Sequence, residues 1–231
     1  MIQIKRITII TGHYGSGKTE FAVNFALGEA GKREYAKHAL CDLDIVNPYF
    51  RSREKRLMLE EHGISVFGSS EQDEITAEIP ALGANVRGPL ENAECRVIVD
   101  AGGNDSGALV LNQFRKYFTP EQTDVLAVVN FSRYETRTVA DAAEQIAMIE
   151  RATGLAVGGL VGNTHLLRET TAETVLRGHD LALQLGEKLG IPLLYDCYPV
   201  GVVDPAYPQC APLRDTLFPL NLYLRPTWLD R

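Results

Sequence analysis

The chain has 231 residues, 45% of them hydrophobic and 23% charged, which places it among ordinary globular proteins and permits one large α/β domain or two small ones. Thirty acidic against 23 basic side chains leave a formal net charge of −7, which argues against broad affinity for nucleic acid or for an anionic membrane. No apolar run approaches the ~18–20 residues that span a bilayer, the first residues lack a signal-peptide layout, and Cys41, Cys95, Cys197 and Cys210 are scattered without CxC or CxxC spacing. The expectation is a cytoplasmic protein with reduced thiols and no metal-binding cysteine cluster.

Along the chain, short apolar runs alternate with helical patterns. Residues 4–11 read as a first strand, β-branched and almost continuously apolar, hence buried on both faces. Similar runs occupy 39–43, 64–67, 97–99, 125–129, 155–161 and 191–195. Val139, Ala142, Ala143, Ile146 and Ile149 recur at helical spacing before a stop at Gly154. A second helix is predicted over about 171–190, with Thr170 and Glu173 as its capping box. Strands alternating with helices predict an α/β fold, a mostly parallel sheet with helices on both faces. The chain reads as one domain over 1–231, with a proline-rich tail from about 204 that wraps the surface in short turns. Residues 83–89 read as a polar loop between strands.

The strongest local signal is Gly12-His13-Tyr14-Gly15-Ser16-Gly17-Lys18-Thr19, which fits G-x-x-x-x-G-K-[ST] between a predicted strand and an apolar helical stretch. Glycines let the backbone N–H groups converge on phosphate oxygens, and the helix N-terminus adds a favourable dipole. Lys18 is expected at the β- and γ-phosphates and the Thr19 hydroxyl on Mg²⁺. Two acidic segments follow where such a loop needs them. Asp42 and Asp44 close the second strand, and Asp100 closes the run 97–99 before Gly102 and Gly103. In a parallel sheet that edge faces the ligand. An aspartate there can hold the metal while the glycine loop senses the γ-phosphate, although Asp also commonly caps turns.

With these residues in place the chain resembles the MinD/ParA group of P-loop ATPases, of the SIMIBI class, and the nucleotide-binding domains related to it. The resemblance covers residues 4 to about 203 and rests on the Gly-Lys-Thr loop, Asp42 and Asp44, and the Asp-x-x-Gly segment Asp100 to Gly103. Asn24 also stands where the group has asparagine. The resemblance implies a P-loop NTPase architecture, ATP and Mg²⁺ as ligands, and slow hydrolysis. It puts Asp44 on the attacking water or the Mg²⁺ shell, Asp100 in support of the metal, and the Asn163 amide on the adenine base. It further implies an ATP/ADP switch that acts on a protein partner through a nucleotide-dependent homodimer, metalloenzyme maturation being one role.

One departure stands out. Where the group has a second lysine followed by glycine, this chain has His13 and Tyr14. His13 either supplies part of the missing charge or is a solvated loop residue; Tyr14 either covers the nucleotide or stacks on a ligand. Arg51 and Arg53 are arginine-finger candidates, while Lys55 and Arg56 read as a solvated helix start balanced by Glu60 and Glu61. Asn104, Asp105 and Ser106 read as a helix start that is also placed to transmit nucleotide state, and His165 either reaches the base edge or is a structural or solvated histidine. Residues 217–229 read as an apolar segment packed onto the body rather than a membrane anchor, since Pro219 and Pro226 break any helix. Guanine recognition usually needs Asn-Lys-x-Asp; Asn163-Thr164-His165-Leu166 lacks the lysine and the aspartate, which favours adenine. Two rival readings remain on the same scaffold: a small-molecule kinase or ATP-dependent ligase with an acceptor near Tyr14, Arg51 and Arg87, and a nucleotide-binding module without hydrolysis.

Overall fold

Eight strands are present among the described residues: β1 (Ile7–Thr11), β2 (Lys37–Asp42), β3 (Ile64–Phe67), β4 (Cys95–Asp100), β5 (Thr123–Val129), β6 (Gly159–Gly162), β7 (Leu193–Pro199) and β8 (Leu217–Leu220). They form one sheet in the order β3-β2-β4-β1-β5-β6-β7-β8, and every neighbouring pair is parallel. This is a computed structural model, and it describes residues 4–44, 55–68, 79–103, 105–206, 208–213 and 215–224. Arg51, Arg53, Asn104 and residues 225–231, to which the sequence reading assigned roles, lie outside that set, as do the side chains of Asp105 and Ser106.

The strand period of two sorts side chains onto two faces. Ile7, Ile9, Val97, Val99, Val125 and Ala127 belong to one core. It is covered by Val86 and Leu90 of α3 (Ile79–Glu91), Val110 and Leu111 of α4 (Asp105–Gln113), Ile146 of α5 (Val139–Thr153) and Leu185 of α6 (Ala172–Leu189). Ile10, Leu40, Ile98, Leu126 and Val128 point to the other face, under Phe21, Val23 and Phe25 of α1 (Lys18–Lys32) and Leu59 of α2 (Arg56–Glu61). A sheet apolar on both faces explains why its strands read as continuous apolar runs rather than alternating ones.

Several expectations shift. Residues 83–89 are not a loop: they lie inside α3, which carries Pro89 in its last turn, and Arg87 is exposed on it. Glycine and proline pointed to a loop, but Val86 and Leu90, spaced i and i+4, are fully buried against the sheet, and that packing overrides weak helix propensity. The capping box of α6 is one residue later than predicted. Thr171 Oγ1 accepts from Thr174 N at 3.2 Å, while the Thr170 hydroxyl closes the preceding turn by accepting from Leu166 N at 2.9 Å. The run 155–161 enters the sheet only at Gly159. Leu155 and Val157 are buried without joining the ladder, since Val157 N donates to Glu150 Oε1 at 2.8 Å instead. The tail is more than surface turns, because β8 extends the sheet beside β7 and both Leu220 and Leu224 are buried. An aromatic group made of Phe21, Phe25, Tyr195 and Phe218 joins α1, β7 and β8, with ring centroids 5.1 to 6.4 Å apart. Arg56 pairs with Glu60 at 3.5 Å, the balanced helix start expected of it.

Candidate nucleotide site

β1 ends at Thr11, and residues 12–17 turn the chain into α1. Gly17 is the N-cap at φ +83°, a left-handed conformation that disfavours any side chain, and no side chain caps the first turn of α1. The helix N-terminus therefore keeps its N–H groups and positive dipole end for an anion. Ser16 N donates to His13 O at 3.0 Å and holds the loop closed on itself.

The strand order brings three carboxylates to this loop, because β4 and, beyond it, β2 lie on one side of β1. Asp42 and Asp100 are register partners across the β2–β4 ladder. Lys18 Nζ lies 2.6 Å from Asp44 Oδ2, both side chains being buried, and Asp44 N donates to Asp42 Oδ1 at 3.3 Å. Burial works to lower the Lys18 pKa, but Asp100, Asp44 and Asp42 together outweigh it and hold the ammonium above its ordinary value. Burial, followed by the repulsion of Asp42 and Asp44, pushes the Asp100 carboxyl well above the usual range, against the pull of Lys18 and of the nearby Thr19 hydroxyl. Both Asp100 oxygens are buried without a hydrogen-bond partner among the described residues. A buried carboxylate of this kind beside a threonine hydroxyl fits a hard cation, and Mg²⁺ characteristically takes one or two carboxylates while keeping waters, not a complete protein cage.

The remaining loops close on the phosphate loop from above and from the side. A Cβ on Gly103 would lie 2.0 Å from Gly12 O, so the segment after β4 touches the phosphate loop backbone to backbone. Past β5, Arg133 Nε donates to Gly15 O at 3.0 Å, and Glu135 Oε2 sits 3.6 Å from His13 Nε2. His13 is thus engaged within its own chain, while Tyr14 is exposed. Asn163, at the end of β6, is buried and donates from Nδ2 to Ser16 O at 2.7 Å. His165 accepts at Nδ1 from Leu167 N at 3.3 Å.

A pocket of about 400 Å³ opens from this loop, within the range of small-molecule sites. Its phosphate end is lined by Gly15, Gly17, Lys18 and Thr19, with Arg133 alongside. Asn163, His165, Leu167 and Pro199, with Leu220, Leu222 and Leu224 of the tail, make an apolar end, and Glu20 also lines the pocket. Lys18 and Asn163 line one pocket, and the Asn163 amide, expected on the adenine base, is bonded to Ser16 O. Arg133, Glu135, Glu20 and the tail were missed. Arg133 had one available signal, its place just beyond the carboxyl end of an apolar strand; the others had none.

No protein-family model matches the chain, and no curated protein does. Solved structures are similar in fold: cell division protein FtsY from Thermotoga maritima, with a TM-score of 0.56 and 17% identity over 84% of this chain and 62% of that one; signal recognition particle receptor FtsY from Elizabethkingia anophelis in complex with GDP, with 0.54 and 16% over 91% and 60%; and signal recognition particle 54 kDa protein from Aeropyrum pernix in complex with GDP, with 0.50 and 22% over 84% and 41%. The chain spans between two fifths and just over three fifths of the length of these proteins. The chain therefore shares the α/β P-loop NTPase-like fold of these structures.

Proposed function

We propose that the chain is a Mg²⁺-dependent, ATP-binding molecular switch of MinD/ParA type, a single domain that hydrolyses ATP slowly and reports its nucleotide state to a protein partner. The observation that carries this reading is the buried Lys18–Asp44 pair at 2.6 Å beneath the phosphate loop. The loop's own cation pairs with the carboxylate expected to orient water. A triphosphate that draws Lys18 onto its β- and γ-oxygens releases Asp44 to accept a proton from, or orient, the attacking water. Thr19, Asp44 and Asp100 would hold Mg²⁺, which supplies charge neutralisation on the phosphate oxygens. Gly103 rests on the loop at Gly12, so movement of one is felt by the other. The backbone of residues 12–17 and the open N-terminus of α1 orient the phosphates, and Asn163 steadies the loop at Ser16 while facing the base end.

Adenine is favoured over guanine because Asn163-Thr164-His165-Leu166 offers no carboxylate for the guanine ring, and Glu20, the acid among the pocket's lining residues, is engaged by backbone N–H groups of the tail. Two of the similar structures hold GDP, so competition between ATP and GTP for binding is the direct check. The reading puts the protein in the cytoplasm, as an ATPase with no nucleic-acid or membrane ligand; metalloenzyme maturation is the role it favours for the partner. His13 stands where the group has its second lysine, and its Nε2 lies 3.6 Å from Glu135 Oε2, within its own chain.

The test is solution mass by light scattering for Asp44→Ala with Mg-ATP and with Mg-ADP. A dimer with ATP alone supports the switch. Unchanged mass, with the wild-type chain consuming ATP in step with a phosphorylated or ligated acceptor, replaces it with the small-molecule enzyme.

A further inference from the structure

After β8 the chain returns across the first turns of α1. Asn24 Nδ2 donates to Asn221 O and Asn221 N donates to Asn24 Oδ1, both at 2.9 Å. One helical turn earlier, the Glu20 carboxylate accepts from Tyr223 N at 2.7 Å and from Leu224 N at 3.2 Å. Glu20 stands two positions after Lys18, so the tail is fastened to the same helical turn that presents the phosphate-binding lysine. Leu220 and Leu224 turn into the core with Phe21 and Phe25. Leu222 between them remains 37% exposed, and all three leucines line the pocket.

A row of leucines has nothing to offer a phosphate. Its chemistry suits the flat, weakly polar face of a base, which gains by leaving water for an apolar wall. We infer that residues 220–224 form the wall that receives the nucleotide's base, and that Glu20 is the positioning residue that locks this wall to the phosphate-binding helix. The inference deepens the nucleotide-switch reading and rests on it. Phosphates and base are then gripped from one rigid helix, although the two grips lie about 200 residues apart in the chain.

The experiment compares Mg-ATP with magnesium tripolyphosphate, which carries the phosphates and no base, by titration calorimetry on the full chain. Leu222→Ala, at a partly exposed position that leaves the core intact, and Glu20→Ala are each expected to weaken ATP about tenfold while tripolyphosphate binds as before. Glu20→Gln keeps an acceptor oxygen for the tail N–H groups and is expected to retain most of the ATP affinity. The ratio of the two ligands is a readout that a merely structural role for Glu20 would not move. Unchanged ATP affinity in both alanine variants overturns the inference, as does an equal loss for ATP and tripolyphosphate. A wild-type chain that binds tripolyphosphate no more weakly than ATP overturns the base wall alone; one that binds neither overturns the nucleotide reading with it.

Discussion

The two ends of the pocket are built by opposite means. The phosphate end is one contiguous stretch, residues 12–19, completed by the carboxyl ends of two neighbouring strands, and its working groups are backbone N–H, glycine conformation, one lysine and buried carboxylates. The end proposed for the base is gathered from Asn163 and His165 after β6, Pro199 at the end of β7 and the leucines of the tail, and what it offers is an apolar shape. Phosphate recognition depends on backbone geometry that few sequences can adopt, so it has a local spelling. A base can be received by any suitably placed apolar wall, so its receptor has none.

The largest effect is expected at the phosphate end. Lys18→Ala should cut triphosphate binding by at least about 100-fold, and the nucleotide-free chain should lose about 3 kcal/mol of stability because Asp44 and Asp100 stay buried without their cation. Calorimetry and urea unfolding read the two separately; ATP binding that survived would show that the loop is not the anchor. Gly103→Ala comes next. Its Cβ would meet Gly12 O at 2.0 Å, so one backbone must move, and phosphate release should slow by about 100-fold while ATP affinity changes less. Equal turnover would break the link between the segment after β4 and the phosphate loop.

Asn163→Ala sharpens the comparison because Asn163 belongs to both ends. Loss of its bond to Ser16 O should weaken ATP and tripolyphosphate alike by about fivefold; any additional loss confined to ATP measures a base contact. A pH effect is expected from Glu20, whose carboxyl burial pushes up to about 7 against the hydrogen bonds from Tyr223 and Leu224 and the attraction of Lys55. The folded chain then keeps a proton that the unfolded chain has already lost. Stability contributed by this group is full below the unfolded pKa and falls as pH rises toward 7, with a slope of at most about 1.4 kcal/mol per pH unit. Glu20→Gln should flatten that slope in unfolding curves between pH 4.5 and 7. The smallest effect is a control far from both ends. Thr138 caps α5 in a capping box with Asp141, so Thr138→Ala should lower the melting temperature by an amount equivalent to about 1 kcal/mol with nucleotide binding untouched.

The sequence by itself determined the parallel α/β architecture, because strands buried on both faces must be apolar throughout and crossover helices must separate them. It also determined the phosphate loop, the stop of α5 at Gly154 and the acids that end β2 and β4, since each depends on short-range backbone chemistry. Tertiary structure decided what no window of sequence contains. It packed the glycine- and proline-bearing segment 83–89 into α3 through Val86 and Leu90, and it made the proline-rich tail a strand and then a strap on α1. It turned Asn24 from a polar residue in an apolar helix into half of a reciprocal pair with Asn221, and it set Arg133 and Glu135 against the phosphate loop. These contacts join residues more than 100 positions apart, so their partners are chosen by strand order and burial, and strand order is fixed when the sheet assembles.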